Sequence, residues 1–396
     1  MESVRPFVEE DIPQVADLHR RVFHTADALS LELQRDYRSY FTRIFLRHPW
    51  REMGGIASLV YEDDGGEIAG FLGVVPRLMS VNGRAVRAAV SSQFIVDPAR
   101  RSTLAAIKLL KTFISGPQDL SIADEANDAS RKLLESLGGT AALLYSLYWF
   151  RLLQPAQFLL SRVSHPVPHA LSRVLVPLCR VVDAVSVRLP QSPVRRSEPS
   201  VTGEDLTAAD LLTCLKRLPA RCVLRPEYNE RSLEWLLGAL ARERGYGELQ
   251  KVAVRKQGKE IVGWYIYVVA PNGLGEVLQI GVEGGSIELI LDHLFDHALR
   301  HGAFALSGRF EPQFVQQFHE KHSMFHHRGH WVLVHSNDPE MLQAIHRGNA
   351  FLSRLEGEWI MRFRLANHGS WSQRRRFRLS YQDVPPVPLD VARSTY

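Results

Sequence analysis

The sequence predicts an α/β fold with mixed sheets, built as two tandem domains. The chain has 396 residues, which suits two domains of roughly 100–200 residues each. Short apolar runs that are typical of strands alternate with segments of helical periodicity. In addition, Gly66–Phe71 resembles Lys259–Trp264, and Arg38 lies as far before the first segment as Arg231 lies before the second. This recurrence indicates a duplicated structural unit.

The first unit is predicted to have the element order β-α-β-β-β-α-β-α-β. Its opening strand, Ser3–Phe7, leads into a helix whose first turn is acidic, as the helix dipole favours. Two hairpins then turn at Asp63–Gly66 and at Asn82-Gly83, because Asp, Asn and Gly tolerate the backbone angles of tight turns. The remaining elements are strands at 88–96, 120–123 and 143–151 and helices at 103–113 and 127–136.

Changes in composition divide the chain into four segments. These are an N-terminal domain at 1–154, a proline-rich linker with a helix at 155–200, a C-terminal domain at 201–366 and a basic, proline-rich tail at 367–396. Within the linker, Leu171–Leu189 is apolar with interspersed arginines. Two alternatives stand for this helix: it packs between the domains, or it is amphipathic and lies on a membrane surface.

The composition is that of an ordinary globular protein. Hydrophobic residues make up 45% of the chain, so a large core is available without a metal or disulfide. The three cysteines form no CxxC pair, which argues for a reducing compartment. No secretory signal is visible, and the apolar run near 141–150 is too short to span a bilayer. We therefore expect a cytoplasmic protein without a transmembrane segment.

The net charge of +5 is mild. It suits an anionic ligand such as a coenzyme, whereas no basic run is large enough to indicate a nucleic-acid partner, so no DNA is expected.

Five histidines lie close together in the C-terminal domain: His319, His322, His326, His327 and His330. A zinc site would need them to converge with a further ligand. Met324-Phe325 and Arg328-Gly329 favour a turn within this stretch. We therefore predict a polar helix end and no metal.

The segment Phe94–Leu110 joins a strand to a helix through Val96-Asp97-Pro98, two arginines and Ser102-Thr103. It resembles the coenzyme-binding turn of the GNAT (GCN5-related N-acetyltransferase) superfamily, and the resemblance covers Val4 to about Arg151. It implies a GNAT fold and acetyl-CoA, or another acyl-CoA, as co-substrate. The second half would then be a degenerate domain of the same kind, giving two tandem GNAT-like acyl-CoA N-acyltransferase folds.

The resemblance also implies which residues contact the coenzyme. In the family, N–H groups at the start of this helix hold the pyrophosphate, as helix N-termini bind phosphate generally. The implied residues are Phe94, Ile95, Val96, Arg100, Arg101, Ser102, Thr103, Leu104, Ala105 and Ala106, with Asn127 and Ser130 from the next helix. Two positions depart from the family pattern. Leu104 replaces the first glycine of the turn, and Leu134 replaces a tyrosine that often protonates the departing thiolate.

Attack of an amine on a thioester needs a base that removes an amine proton. Asp97, Asp124 and Glu125 lie near predicted strand ends that face the implied cleft, so they are the candidate catalytic bases. The alternative is that each carboxylate caps a turn or a helix.

Polar residues recur near the predicted edge of the second domain: Arg309, Glu311, Glu356 and Glu358. They are candidates for binding the acceptor substrate. Alternatively, Arg309 forms a structural ion pair with Glu356 or Glu358, and Glu311 caps a helix.

These observations lead to three hypotheses. The first is an acyl-CoA-dependent N-acyltransferase, with acetyl as the preferred group, acting on an amine of a small molecule, an amino sugar or a peptide. The second is a non-catalytic GNAT-fold module that binds a ligand or a partner, which Leu104 and Leu134 favour. The third is an aminoacyl transferase of the peptidoglycan-bridge type.

Overall fold

The computed structural model describes residues 2–23, 30–97, 99, 103–163, 169–189, 192–195, 197–242, 247–256, 260–270, 273–283 and 286–363. Within these ranges the chain forms two mixed β-sheets flanked by helices. The predicted mixed α/β fold is therefore confirmed. The predicted tail at 367–396 lies outside the described residues.

The first half of the chain follows the predicted element order with three additions. Its elements are β1 (Ser3–Pro6), α1 (Ile12–Phe23), α2 (Leu31–Phe41), β2 (Leu59–Glu62), β3 (Ile68–Val81), β4 (Arg84–Val96), α3 (Thr103–Ile114), β5 (Leu120–Ala126), α4 (Asp128–Ser136), β6 (Thr140–Ala141), α5 (Leu143–Ser146) and β7 (Leu147–Leu152). The additions are α2, β6 and α5. Helix α2 begins where the Ser30 hydroxyl accepts from the N–H of Leu33. The predicted strand at 143–151 is wrong over its first four residues, which form α5. The predicted turn at Asn82-Gly83 has positive φ at both residues, as a two-residue hairpin requires.

The linker and the second half contain the remaining elements. They are α6 (Pro155–Arg162), α7 (His169–Ser186), β8 (Thr202–Asp205), α8 (Ala208–Lys216), β9 (Leu224–Pro226), α9 (Glu230–Arg242), β10 (Glu248–Lys256), β11 (Glu260–Val269), β12 (Leu274–Val282), α10 (Ile287–Arg300), β13 (Ala305–Arg309), α11 (Val315–Glu320), β14 (Met324–His327), β15 (Trp331–His335) and α12 (Pro339–His346).

The two sheets repeat one architecture. The first has the order β1-β2-β3-β4-β5-β15-β6, and the second has the order β8-β10-β11-β12-β13-β7-β14. In both, the fourth and fifth strands are parallel and every other neighbouring pair along the order is antiparallel. The duplication that the sequence indicated therefore extends to strand order and direction.

The two halves exchange strands. The short strand β9, from the second half, pairs with β3 of the first sheet. Strand β7, from the first half, lies in the second sheet between β13 and β14. Strand β15, from the second half, lies in the first sheet between β5 and β6. The sheets therefore do not coincide with the predicted domains at 1–154 and 201–366. Those limits stay predictions.

A shared core reinforces this exchange. The largest apolar cluster contains Phe71 of β3, Trp264 of β11 and Trp359, all essentially buried. It runs without interruption from the first sheet to the second, so the halves bury apolar surface against each other.

A buried ion pair joins the sheets where they meet. Strands β4 and β5 pair in parallel as far as Ser91 and Ala123, and β12 and β13 pair as far as Val277 and Gly308. The next residue is Asp124 in the first sheet and Arg309 in the second. These two side chains, 1% and 4% exposed, form an ion pair with each other. Asp124 and Arg309 therefore occupy equivalent positions in the two repeats, carry opposite charges and contact each other.

We predict that this pair cannot lose one member without a large loss of stability. Arg309→Met leaves a buried carboxylate without its cation, so the free energy of unfolding should fall by about 3–5 kcal/mol. The double variant Arg309→Met/Asp124→Asn should lose much less than the sum of the single variants. Urea unfolding of the four proteins measures this coupling. Glu135→Gln, which breaks an exposed pair with Arg131, is the control and should cost at most about 0.5 kcal/mol. Additive losses would contradict the coupling.

Candidate functional site

An opening forms in the first sheet where β4 and β5 diverge. Their parallel pairing ends at Ser91 and Ala123. Just beyond it, β4 contains a bulge, since its register with β3 shifts between Phe71 and Gly73. Gln93, inside the bulge, has a φ of +55°, which L residues seldom adopt outside special sites. Beyond Ser91, β4 no longer pairs with β5.

The chain segment 351–361 fills the apex of this opening. The N–H of Glu358 donates to Asp124 Oδ2 at 3.0 Å. Gly357 lies so close that an added Cβ would overlap the Asp124 carboxylate, so only glycine allows this approach. Toward the second sheet, the N–H of Arg354 donates to the carbonyl oxygen of Leu278, also at 3.0 Å. One segment therefore contacts both diverging strand pairs.

Glu358 projects its carboxyl group onto the bulge. The Ser92 hydroxyl donates to Glu358 Oε1 at 3.0 Å, and the backbone of Gln93 also hydrogen-bonds it. Burial and the neighbouring charge of Asp124 raise the pKa of Glu358 to about 8, although the hydrogen bonds from Ser92 and Gln93 oppose this shift. A carboxyl group that titrates near neutral pH can accept or donate a proton under ordinary conditions.

Glu311 is the second carboxyl group of this kind. Burial raises its pKa to about 8, with Arg309 opposing the shift and Glu356 adding to it. It occupies the N-terminal cap position of the short helix Pro312–Phe314, as expected, but its side chain makes no capping hydrogen bond there.

Glu356 is held in a fixed position by hydrogen bonds. Its Oε1 accepts from Tyr228 at 2.7 Å and from Gln279 at 3.1 Å, and its Oε2 accepts from the N–H of Ser353 at 2.8 Å. Burial, with the charge of Glu356 beside it, raises the pKa of Tyr228 well above its usual range. Tyr228 therefore stays a hydroxyl donor at every ordinary pH.

The expected pairing of Arg309 with Glu356 or Glu358 is wrong, because Arg309 pairs with Asp124. A different arginine, Arg354, balances the acids around it. It donates to Glu125 Oε1 at 2.8 Å and pairs with Glu276. Although burial opposes ionisation of Glu276, the charges of Arg354 and Arg328 hold its pKa well below the usual range.

The three candidate bases all accept hydrogen bonds from arginines. Asp97 accepts from Arg21 at 2.6 Å and also from the N–H of Ala99. Asp124 pairs with Arg309. Glu125 pairs with Arg354 and with Arg362. The structure brings Asp124 and Glu125 together with Arg309, Glu356 and Glu358, whereas Asp97 lies with Arg21 of α1.

The implied coenzyme residues are only partly described. Arg100, Arg101 and Ser102 lie outside the described residues, and of Thr103 only the backbone, at the start of α3, is described. The others are Phe94, Ile95 and Val96 on β4 beyond the bulge, and Leu104, Ala105 and Ala106 in the first turn of α3, with Leu104 exposed. Their contact with a coenzyme stays a prediction.

The second implied group lies at α4. Asn127 caps this helix, since its Oδ1 accepts from the N–H of Ser130 at 2.9 Å. Leu134 is buried in an apolar cluster and lies against Gly139. The position of the family's tyrosine is therefore a packed core position.

Sequence reasoning missed Ser92, Gln93, Tyr228, Glu276 and Arg354. A usable signal existed only for Arg354, which interrupts an otherwise apolar stretch at 350–361 together with Glu356 and Glu358. Charges at such positions are costly unless they find partners, so they point to a buried network.

A basic groove of about 730 Å³ lies between α2 and α9. Its charged lining consists of Arg35, Arg38, Arg43, Arg47 and Arg242, with Glu9 and Glu234. The excess of positive charge favours an anionic group there.

The histidines do not share one helix. His319 belongs to α11, which ends at Glu320, and His326 and His327 belong to β14. Among the described residues, no group of His, Cys, Asp or Glu side chains is placed to hold a metal ion.

Residues 3–118 match the sequence model of the acetyltransferase (GNAT) domain. A solved structure from Enterococcus faecalis V583, described as a probable N-acyltransferase, is similar with a TM-score of 0.55 and 10% identity, over 88% of this chain and 74% of that chain. A GCN5-related N-acetyltransferase from Anabaena variabilis ATCC 29413 is similar with a TM-score of 0.53 and 11% identity, over 84% of this chain and 72% of that chain. A search of curated proteins finds no match.

The match to the GNAT acetyltransferase domain thus covers the N-terminal part of the chain, and the likeness to these two solved structures shows that the same kind of fold extends over both halves. The resemblance to the GNAT family that the sequence predicted is confirmed for residues 3–118. This family transfers acyl groups from acyl-CoA co-substrates to amine acceptors. None of the helices in the described ranges is long and apolar enough to cross a membrane.

The raised pKa of Glu358 predicts how stability depends on pH. Its pKa is about 8 in the folded protein against an ordinary value of 4.5. The folded state thus binds a proton that the unfolded state has released, so stability falls as pH rises from about 4.5 to 8. Glu358→Gln removes this contribution. We expect the variant to be more stable than the native protein at pH 8.5, by roughly 1–3 kcal/mol.

Chemical unfolding at pH 5, 7 and 8.5 measures this difference, and Glu135→Gln is the matched surface control. A difference between variant and native protein that does not change with pH would show that Glu358 ionises normally.

Proposed function

We propose that this protein is an acyl-CoA-dependent N-acyltransferase that acts on an amine of a small molecule, an amino sugar or a peptide. The observation that carries the proposal is the position of Glu358, whose carboxyl group, with a pKa of about 8, lies at the divergence of β4 and β5 in a GNAT domain.

The acyl-CoA substrate is assigned to the opening between these strands. Beyond Ser91, β4 no longer pairs with β5, and backbone groups along Phe94–Val96 can then pair with the amides of the pantetheine arm. The N-terminus of α3, a twelve-residue helix that follows directly, suits a pyrophosphate because its first N–H groups lack helical partners. We propose Arg100 and Arg101 as its charge partners, from the sequence.

Glu358 is proposed as the group that takes the amine proton. As the amine nitrogen bonds to the thioester carbon, the proton passes to the Glu358 carboxylate, and the carbon–sulfur bond breaks to release the thiolate. Asp97, Asp124 and Glu125 are second choices, since their oxygens already accept hydrogen bonds from arginines. The base must be ionised, so activity should rise with pH toward about 8.

The acceptor is assigned to the polar side chains around the segment 351–361. Arg309 and Glu311 adjoin this segment from the end of β13. Glu356 belongs to the segment itself and is positioned by Tyr228. In this proposal the second half supplies the acceptor side of the site, while the first half supplies the thioester side. The acyl group that is preferred is proposed to be acetyl.

We predict that Glu358→Gln lowers kcat/KM by about 10²–10⁴-fold, the usual contribution of general-base catalysis. The variant keeps the hydrogen bonds of Glu358 in a neutral form, so acetyl-CoA affinity should change little. The rise of activity toward pH 8 should disappear with the carboxylate. Release of free thiol from acetyl-CoA, across a panel of small-molecule, amino-sugar and peptide amines, measures the rate.

Glu135→Gln is the matched control, because it makes the same change at an exposed carboxyl group to which no part of the reaction is assigned. A Glu358→Gln variant with native rate and native pH profile would remove Glu358 from the chemistry. If the native protein neither binds acetyl-CoA in calorimetry nor releases thiol with any amine, the enzyme proposal fails.

A second candidate is ligand binding without chemistry, and the basic groove between α2 and α9 favours it. Five arginines line this groove. An anionic ligand would balance their positive charge. The two candidates separate on the same assay. Binding without chemistry predicts no thiol release from any variant, although anionic ligands still bind.

A further inference from the structure

The linker hairpin α6–α7 presents an apolar surface that the fold leaves uncovered. The residues concerned are Leu159 and Val163 on α6, Leu171, Val174, Leu178, Val181, Val182 and Val185 on α7, and Leu189 just after it. Each side chain is between 47% and 67% exposed. On α7 they recur every three or four residues, so they form one stripe along the helix.

The orientation of this stripe is fixed by a buried carboxylate. Asp183, on the opposite face of α7, accepts hydrogen bonds from the N–H groups of Ala156 at 2.8 Å and Gln157 at 3.0 Å. It is 3% exposed and satisfies the N-terminus of α6. Rotating α7 to bury the stripe would break both bonds, so the stripe belongs to the surface of the folded protein.

The charges of the hairpin have one sign. Residues 155–189 contain four arginines, Arg162, Arg173, Arg180 and Arg188, and Asp183 is their only acidic residue. Since Asp183 is buried, the exposed surface of the hairpin carries no carboxylate to balance these cations. Arg173, Arg180 and Arg188 are themselves exposed.

We propose that the α6–α7 hairpin binds the surface of a membrane that contains anionic lipids. The apolar stripe would enter the boundary between headgroups and acyl chains, and the arginines would contact lipid phosphates. A second copy of this chain fits the stripe less well, because pairing two such faces would bring unbalanced arginines together. With 18 residues, α7 is about 27 Å long, and it would lie along the surface rather than cross the bilayer.

The test is co-sedimentation of the full chain with vesicles. Phosphatidylcholine vesicles with 30% phosphatidylglycerol should pellet the protein, and pure phosphatidylcholine vesicles should pellet at least tenfold less. The triple variant Val174→Ser/Leu178→Gln/Val181→Ser should lose binding at least tenfold. Arg173→Gln/Arg180→Gln/Arg188→Gln should lose the preference for anionic vesicles. Circular dichroism and the melting midpoint verify that both variants fold.

A matched control variant, Leu31→Gln/Leu143→Gln, changes exposed leucines elsewhere and should bind as the native protein does. The proposal is overturned if the native chain stays in the supernatant with anionic vesicles. It is equally overturned if the Val174/Leu178/Val181 variant binds normally, which would assign vesicle binding to the basic tail at 367–396. Self-association of the native chain that this variant abolishes, without vesicle binding, would identify a second copy as the occupant and overturn the proposal.

Discussion

The buried ion pair between Asp124 and Arg309 is the constraint on which the rest of the structure depends. Each side chain is the first residue after the parallel strand pairing ends in its own sheet. Neither charge can be buried alone at acceptable cost, so each half is incomplete until the other supplies the opposite charge. The exchange of β7 and β15 also joins the halves, because it inserts a strand from the other half into each sheet. Duplication has therefore produced an interlocked pair of sheets.

The same junction sets the electrostatics of the candidate site. Asp124, Glu125 and Glu276 each form an ion pair with an arginine. The charge of Asp124 makes ionisation of the neighbouring Glu358 less favourable. Burial and the charge of Asp124 together raise the pKa of Glu358 to about 8. The charges of Arg354 and Arg328 hold the pKa of Glu276 well below its usual range, whereas the pKa of Glu358 is raised, and acid–base chemistry needs such a separation of pKa values. The proposed base and the structural carboxylates belong to a single network.

Local patterns predicted much of the fold. The helix at 103–113 and the turn at Asn82-Gly83 were predicted close to where they lie, because helical periodicity and turn residues are local features. Strand partners could not be predicted in this way. Strand β15 pairs with β5, some 210 residues earlier, and that choice depends on the whole assembly. The site shows the same limit. Glu358 was recognised as a candidate, but its bond to Ser92 spans 266 positions, and no pattern in the sequence marks the bulge at Gln93. The helix α2 was missed because its polar residues hide the buried Tyr37, Tyr40 and Phe41.

The two halves form one folding unit, and the proposed site lies at their junction. Splitting the chain between residues 196 and 197 tests this most directly, because the cut falls in the linker and leaves every strand intact. We predict that neither fragment alone shows a cooperative unfolding transition. Together they should form a one-to-one complex with a single transition near that of the intact chain. A fragment that unfolds cooperatively by itself, at the midpoint of the intact protein, would show that the halves do not form one folding unit.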